Sequence, residues 1–223
     1  MKTHLATLAL LMALATPAWA ADLNKELADI QTQWAHLKYE VADKDAQVSG
    51  LQALETKTQS LIAANPDAAE AKIWRGILLS TEANIVKGLG VLGKVKEAKG
   101  LFETAIAQNP NAMGGAAYYM LGTLYDKVPG WPIAFGSSKK AGENLKQAVA
   151  MSPNSIDANY FYGEYLMDEG DLKEARQAYE RGLAAADRPG QAVADKGRRA
   201  EINKALTELA KKEKASRRVG PDN

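Results

Sequence analysis

Cysteine is absent from the 223-residue sequence, and histidine occurs only twice. Without cysteine the chain can form no disulfide, so its stability has to come from the packing of apolar side chains. A cleaved lipoprotein would need a cysteine directly after its cleavage point, so we expect no lipid anchor. The residue types that most often ligate metals or act as nucleophiles and bases are therefore scarce.

Motifs of catalysis and cofactor binding are missing as well. The sequence contains no G-x-S-x-G segment, no P-loop and no cluster of metal ligands. His36 has no partner in view, so we expect a solvated or interfacial histidine rather than a base. Gly88–Gly93 matches G-x-G-x-x-G, but a predicted helix precedes it where the dinucleotide fingerprint needs a strand. We therefore predict a glycine-rich turn there, and no catalytic residue, metal, cofactor or enzymatic activity.

No charge of one sign dominates, because 28 Lys and Arg residues face 27 Asp and Glu residues. This balance does not favour a nucleic-acid partner, and we predict none. Basic residues do cluster in a predicted helix at about Gln191–Lys214. Its apolar stripe is narrow, which indicates a capping helix with a solvated basic face.

The N-terminus has the three parts of a secretory signal peptide. Lys2 supplies a basic start, Leu5–Ala15 is a short apolar run, and Ala18–Ala20 is a small-x-small cleavage site. The run is too short to span a bilayer. We predict cleavage after Ala20 and a mature chain without a transmembrane segment, located in a bacterial periplasm or secreted.

The segment Asn154–Asp187 has the pattern of one complete helix–turn–helix unit of 34 residues. Gly163 provides a small residue on the first helix, and Gly170 with Asp171 favours a turn. Tyr179 provides a large residue that fills the space between the two helices.

Related units precede it. Pro66, Pro110 and Pro153 recur at spacings of 44 and 43 residues, and each follows the end of a predicted helix. Small and large residues stand at matching distances before the last two prolines: Ala98, Phe102 and Ala105, and then Ala141, Leu145 and Ala148.

This self-similarity resembles the tetratricopeptide repeat family, whose pattern runs Trp, Leu, Gly, Tyr and then Ala, Phe, Ala, Pro. The resemblance implies an all-α, right-handed superhelix of helix–turn–helix repeats. We predict a signal peptide at 1–20, a helical hairpin at 21–65 and repeats across 66–188 (66–110, 111–153 and 154–187). A capping helix at 189–214 and a disordered tail at 215–223 complete the prediction.

The first helices of the repeats are aligned by their aromatic and glycine positions. Trp74 is matched with Tyr118, which puts Leu78 where the later repeats have Gly122 and Gly163. Core positions are then predicted for Trp74, Tyr118, Leu121 and Tyr162. Six residues are predicted to face the concave groove as partner- or ligand-binding residues: Arg75, Tyr119 and Tyr160 at one position, and Leu79, Thr123 and Glu164 at another.

The loop Asp126–Ser138 between two predicted helices is rich in proline, glycine and aromatic residues. Two interpretations remain open for Trp131 and Phe135. They either fold back to fill the gap between the helices, or stand at the rim of the groove as binding anchors.

A narrower resemblance is based on Leu121–Tyr125, Pro129–Pro132, Phe135–Gly136 and Asn159–Gly163. These segments are similar to the T component of tripartite (TRAP-type) transporters, over roughly Ala71–Leu209. The resemblance implies an exported helical protein that works beside a periplasmic solute-binding protein. Two features depart from that family: the lipid-anchoring cysteine is missing, and Ser137 replaces the usual acidic residue.

Two functions are consistent with these observations. The first is a non-enzymatic scaffold that binds a protein partner through its groove, with the solute-binding protein as one candidate. The alternative is a carrier that holds a small apolar or amphipathic ligand in the groove under the Trp131 loop.

Overall fold

A computed structural model describes residues 18–219, and among these it contains nine α-helices and no β-strand. The predicted signal peptide lies outside the described residues except for Ala18–Ala20, which begin the first helix. The helices are α1 (Ala18–Tyr39), α2 (Lys44–Ala64), α3 (Ala69–Val86), α4 (Leu92–Gln108), α5 (Ala116–Lys127), α6 (Ser138–Met151), α7 (Ile156–Glu169), α8 (Leu172–Leu183) and α9 (Ala192–Val219).

The helices pack as successive hairpins, chiefly α3 with α4, α5 with α6 and α7 with α8. Neighbouring hairpins then stack and bury two apolar clusters, one mainly in α1 to α5 and one in α6 to α9, which meet at the partly buried Tyr119, Phe161 and Tyr165. The predicted all-α tetratricopeptide-repeat solenoid is confirmed. Each repeat buries its apolar face against its neighbours and could not do so alone.

Local sequence explains where several helices begin. Asp43, Ser155 and Asp171 precede α2, α7 and α8, and each side chain accepts a hydrogen bond from a backbone N–H in the first turn. Such caps satisfy donors that have no partner within the helix. At the other end of the chain, α9 continues to Val219 rather than ending at Lys214 as predicted.

In each repeat a glycine of the first helix lies directly against a large side chain of the second. A methyl group built on any of these glycines would come within 2.5–2.7 Å of that side chain. Only glycine allows so close an approach. The three pairs are Gly76 with Phe102, Gly122 with Leu145 and Gly163 with Tyr179.

The predicted alignment of the first repeat is therefore wrong by two residues, because Gly76 and not Leu78 occupies the glycine position. Two buried side chains support the corrected alignment. Lys72 and Asn159, each four residues before the glycine, both donate to the carbonyl of the proline six residues earlier. The match of Trp74 with Tyr118 was misleading because close helix packing is set by the glycine and not by the aromatic residue.

The corrected alignment also places the extra residues of the second repeat. The spacing from proline to glycine is ten residues in the first and third repeats and twelve in the second. The two additional residues fall at a short 3₁₀ turn, Ala112–Gly114, where Met113 has a φ of 49°. The first and third repeats carry no such extension.

Helix α1 returns to the last helix of the chain. The Tyr39 ring lies against Gly197 of α9, where an added methyl group would be 2.4 Å from a ring carbon. Lys38 forms an ion pair with Glu201 at 3.1 Å. Because α1 also packs on α3, helices α1, α3, α5, α7 and α9 form a closed circuit of contacts. None of the described helices is both long and apolar enough to cross a membrane.

Candidate functional site

A central cavity of about 540 Å³ lies inside the circuit formed by α1, α3, α5, α7 and α9. It takes the place of the concave groove expected from the sequence, and α1 contacts α9 beside it. Five aromatic side chains line it: Trp34, Tyr39, Trp74, Tyr119 and Phe161. Aliphatic and polar residues complete the wall, among them Leu27, Gln31, Glu70, Ile77, Thr81, Met113, Met120, Asn154, Asp157, Arg188, Gln191 and Arg198.

Four of these aromatic side chains form two pairs, one between α1 and α3 and the other between α5 and α7. Trp34 and Trp74 meet edge to face with ring centroids 5.7 Å apart, and Trp34 Nε1–H donates to Thr81 Oγ1 at 3.0 Å. Tyr119 and Phe161 are stacked at 5.5 Å. Such pairs are rigid and apolar, so they provide a preformed surface for an apolar ligand group.

Another side of the wall is formed by Asp157, Arg188 and Arg198. Together with Asp195, which lies outside the wall, they form a largely buried set of ion pairs that we call the arginine network. Asp157 accepts hydrogen bonds from Arg188 Nη1 and Arg198 Nε, both at 2.7 Å. Asp195 accepts from Arg188 Nε at 2.7 Å. These contacts join the start of α7 to the α8–α9 connection and to α9.

The charges of this network balance one another. Burial by itself would raise the pKa of Asp157, but Arg198 and Arg188 outweigh it and hold that pKa below its ordinary value. Arg198 is 4% exposed, and its guanidinium also lies 4.4 Å from the Tyr160 ring centroid and 4.6 Å from that of Phe161. The charged guanidinium of Arg198 is therefore stabilised both by ion pairs and by cation–π contacts.

Arg198 also connects this network to α1. Its Nη1 donates to Glu201 at 2.5 Å, and Glu201 in turn pairs with Lys38. The contact that closes the circuit is thus linked to the charges that line the cavity.

Two of the predicted groove residues of the first repeat are placed elsewhere. Leu79 is 2% exposed and belongs to the core. Arg75 lies between α2 and α4, where it pairs with Glu97 at 2.7 Å and donates to the Glu55 carbonyl at 3.1 Å. Both groove placements are wrong, and the two-residue error in the alignment is the reason.

Of the four remaining groove residues, only Tyr119 lines the cavity. Thr123 donates to the Tyr119 carbonyl within its own helix, and Glu164 accepts a hydrogen bond from Tyr179 at 2.6 Å. Tyr160 lies beneath Arg198. Among the predicted core residues, Leu121 and Tyr162 are buried as expected, Tyr118 is only partly buried, and Trp74 is buried but faces the cavity.

The two aromatic residues of the loop between α5 and α6 have different environments. Phe135 is partly buried and meets Tyr125 edge to face at 5.8 Å. Trp131 is 89% exposed, and Ile133 beside it is 58% exposed. Backbone bonds from Gly136 N–H to the Pro129 carbonyl at 2.9 Å hold the loop. Phe135 thus packs back as one interpretation predicted. Trp131 does not fold back and does not line the cavity, so its role as a binding anchor stays a prediction.

The charged residues of the cavity wall were not found from the sequence. Arg188 and Arg198 follow Asp157 by 31 and 41 residues in the sequence, and no periodic pattern connects the three. Phe161 carried a usable signal, since it lies next to Tyr162, a predicted core position.

A second group of buried charges lies away from the cavity and is named here the carboxylate cluster: Glu55, Glu82 and Lys94. Lys94 Nζ is 3.0 Å from Glu55 Oε2 and 2.6 Å from Glu82 Oε2. Burial and a hydrogen bond with Glu82 raise the pKa of Glu55 to about 7. Within residues 18–219 no group of three or more histidine, aspartate or glutamate side chains is arranged to hold a metal ion.

The stacked helical hairpins have the architecture of tetratricopeptide repeats. Residues 133–196, which include α6, α7 and α8, match the family model of the tetratricopeptide repeat. No curated protein matches the sequence significantly.

Among solved structures, the crystal structure of MamA is similar at 20% identity and a TM-score of 0.43, over 80% of this chain and 98% of MamA. A second is YrrB, described as a TPR protein with an unusual peptide-binding site, at 22% identity and a TM-score of 0.43, over 87% of this chain and 92% of YrrB. Likeness at this level concerns the succession of helices and says nothing about what this chain binds.

Proposed function

We propose that this protein is an exported, non-enzymatic binding protein that holds a small amphipathic molecule in its central cavity. The observation that carries the proposal is the contact between α1 and α9, which narrows the concave face of the solenoid to a partly open cavity. A partner helix would need an open groove along the inner helices, whereas a small molecule needs only the cavity.

The size and lining of the cavity support this function. Small-molecule sites commonly occupy about 300–1,000 Å³ and combine apolar walls with a few polar groups. The cavity, at about 540 Å³, has both kinds of surface. Its aromatic pairs are already packed in place, so little side-chain ordering opposes binding.

The proposal is tested by native mass spectrometry of the protein purified from its own host. We expect a bound small molecule that is released on denaturation. Ala28→Trp would place a large ring in the cavity wall, and we expect it to abolish the bound mass. Ala53→Trp on α2 is the matched control, since Ala53 is also an exposed helical alanine but is not part of the wall. A wild-type protein that carries no ligand contradicts the proposal.

A second candidate function is the binding of a protein partner through the Trp131 loop. Trp131 and Ile133 are exposed on a segment whose base is held by Phe135 and by backbone hydrogen bonds. Exposed tryptophan on a held loop is a common anchor of protein interfaces. The narrower family resemblance makes a solute-binding protein the candidate partner.

Pull-down from periplasmic extract of the host tests this candidate. We expect recovery of a solute-binding protein with the wild type and its loss with Trp131→Ala. Val86→Ala is the matched control, because Val86 is 53% exposed and lies outside the loop. Equal recovery with all three proteins excludes the loop as the anchor.

A further inference from the structure

Among the aromatic side chains of the cavity wall, two carry a polar group without a hydrogen-bond partner in the described part of the chain: the indole N–H of Trp74 and the hydroxyl of Tyr119. Both residues line the cavity, and Trp74 is 5% exposed. Neither atom is sealed within the core, since the fully buried side-chain atoms that lack a partner in this part of the chain belong to Glu55 and Glu82. The two groups therefore open onto the cavity, unlike Trp34, whose N–H is satisfied by Thr81.

Both groups can donate a hydrogen bond. Indole N–H is a donor only. Burial raises the pKa of Tyr119 above its ordinary value, so its hydroxyl keeps its proton at neutral pH. A ligand that satisfies these groups must present acceptor atoms, because a buried donor without a partner is unfavourable.

The charges of the wall indicate that this acceptor is uncharged. Arg188 and Arg198 are already paired with carboxylates, and Lys38 is paired with Glu201. An anionic ligand would have to compete for these cations. Glu70, which lines the cavity without an ion pair among the described residues, would repel an anion directly.

From these observations we infer that the cavity recognises an uncharged amphipathic molecule whose carbonyl or ether oxygen accepts hydrogen bonds from Trp74 and Tyr119. Its apolar part lies against Phe161, Ile77 and Met120. This inference rests on the proposed binding function and specifies the chemistry of its ligand.

Fluorescence titration of the full chain with three related probes tests the inference. Prodan is an uncharged naphthyl ketone with an acceptor oxygen. Dimethylaminonaphthalene has the same ring system without the ketone, and anilinonaphthalene sulfonate carries a negative charge. We expect prodan to bind about three- to tenfold more tightly than dimethylaminonaphthalene, which is the contribution of one or two neutral hydrogen bonds.

The variants Tyr119→Phe and Trp74→Phe remove one donor each and retain an aromatic ring. We expect each to weaken prodan binding about threefold and to leave the ketone-free probe unchanged. Tyr119→Phe alone is sufficient if Trp74→Phe folds poorly, because it deletes a single hydroxyl. Trp131→Phe is the control outside the cavity, and we expect it to change neither affinity.

The possible results separate the inference from the proposed function. Equal binding of the two uncharged probes, unaffected by either donor variant, overturns the inference and leaves the binding function intact. Tighter binding of the sulfonate also overturns it, since the preferred ligand would then be an anion. If none of the three probes binds, the proposed function itself fails.

Discussion

The carboxylate cluster and the arginine network are both largely buried, but only one of them is balanced in charge. In the carboxylate cluster two carboxylates share a single amine, Lys94, and Glu55 Oε1 has no hydrogen-bond partner among the described residues. In the arginine network two aspartates meet two arginines through several bonds of 2.7 Å. Burying charge is tolerated when each group is paired.

The difference shows how one fold can use buried charge in two ways. The arginine network keeps its charges at neutral pH and links α7 and α9 around the cavity. The carboxylate cluster lowers the free-energy cost of burying two carboxylates by taking up a proton, and the pKa of Glu55 is therefore raised to about 7. Variants of the two groups should therefore differ in how much they change the free energy of unfolding and in how that change depends on pH.

The largest effect is expected for Arg198→Met, which leaves Asp157 buried with Arg188 as its only cation. We expect a loss of about 3 kcal/mol in the free energy of unfolding at pH 7. Chemical denaturation followed by circular dichroism measures it. Arg199→Met is the matched control, because Arg199 pairs with Asp187, which is 87% exposed, and should cost less than about 1 kcal/mol. Equal losses would show that the arginine network has no special role.

An intermediate effect is expected for Gly197→Ala, which tests the contact that closes the circuit. The added methyl group would lie 2.4 Å from the Tyr39 ring, so the ring or α9 must move. We expect a loss of about 1–3 kcal/mol. In the helical control Gly100→Ala nothing lies within 4 Å, and we expect a gain of about 0.5–1 kcal/mol. A gain in both variants would mean that α1 and α9 are not in contact in solution.

The smallest effect is expected for Glu55→Gln, and it is confined to the dependence on pH. In the unfolded chain Glu55 has its ordinary pKa of 4.5, and in the folded protein about 7. Between these values the folded protein binds more protons than the unfolded chain, so this stabilisation is complete below pH 4.5 and is lost as the pH rises through 7. We expect the wild type to lose about 1–2 kcal/mol over this range.

Glu55→Gln should remove that decline, because glutamine can donate to Glu82 at every pH. Denaturation at pH 5 and pH 8 compares the two proteins. The arginine network has the opposite sign: the lowered pKa of Asp157 gives stability that is lost only as the pH falls below its ordinary value. If the free energies of unfolding of wild type and Glu55→Gln changed with pH in parallel, Glu55 would not be the group that takes up the proton.

Much of the fold could be predicted, because its signals are local. Apolar residues at helical spacing, the recurring prolines and the glycine of each hairpin depend on neighbours within one or two helices. The Phe135 and Trp131 alternatives were also recognisable from the loop sequence. The first repeat was misaligned because Trp74 resembles the aromatic residue of the family pattern, whereas the packing depends on Gly76 against Phe102.

The candidate site was much less predictable. Tyr119 was found, but Arg75 and Leu79 followed the misaligned register into the wrong positions. The charged wall joins Asp157 to Arg188 and Arg198 across a large separation in sequence. Such pairings have no periodicity, so only the folded chain reveals them.

The sequence by itself determined the helical hairpins and their stacking, because helix periodicity, capping and close packing are decided by residues near one another in the chain. Tertiary structure decided that the stack closes on itself. Tyr39 and Glu201, 162 residues apart, meet where α1 reaches α9. That contact depends on the summed curvature of all the intervening repeats, and no single segment encodes it.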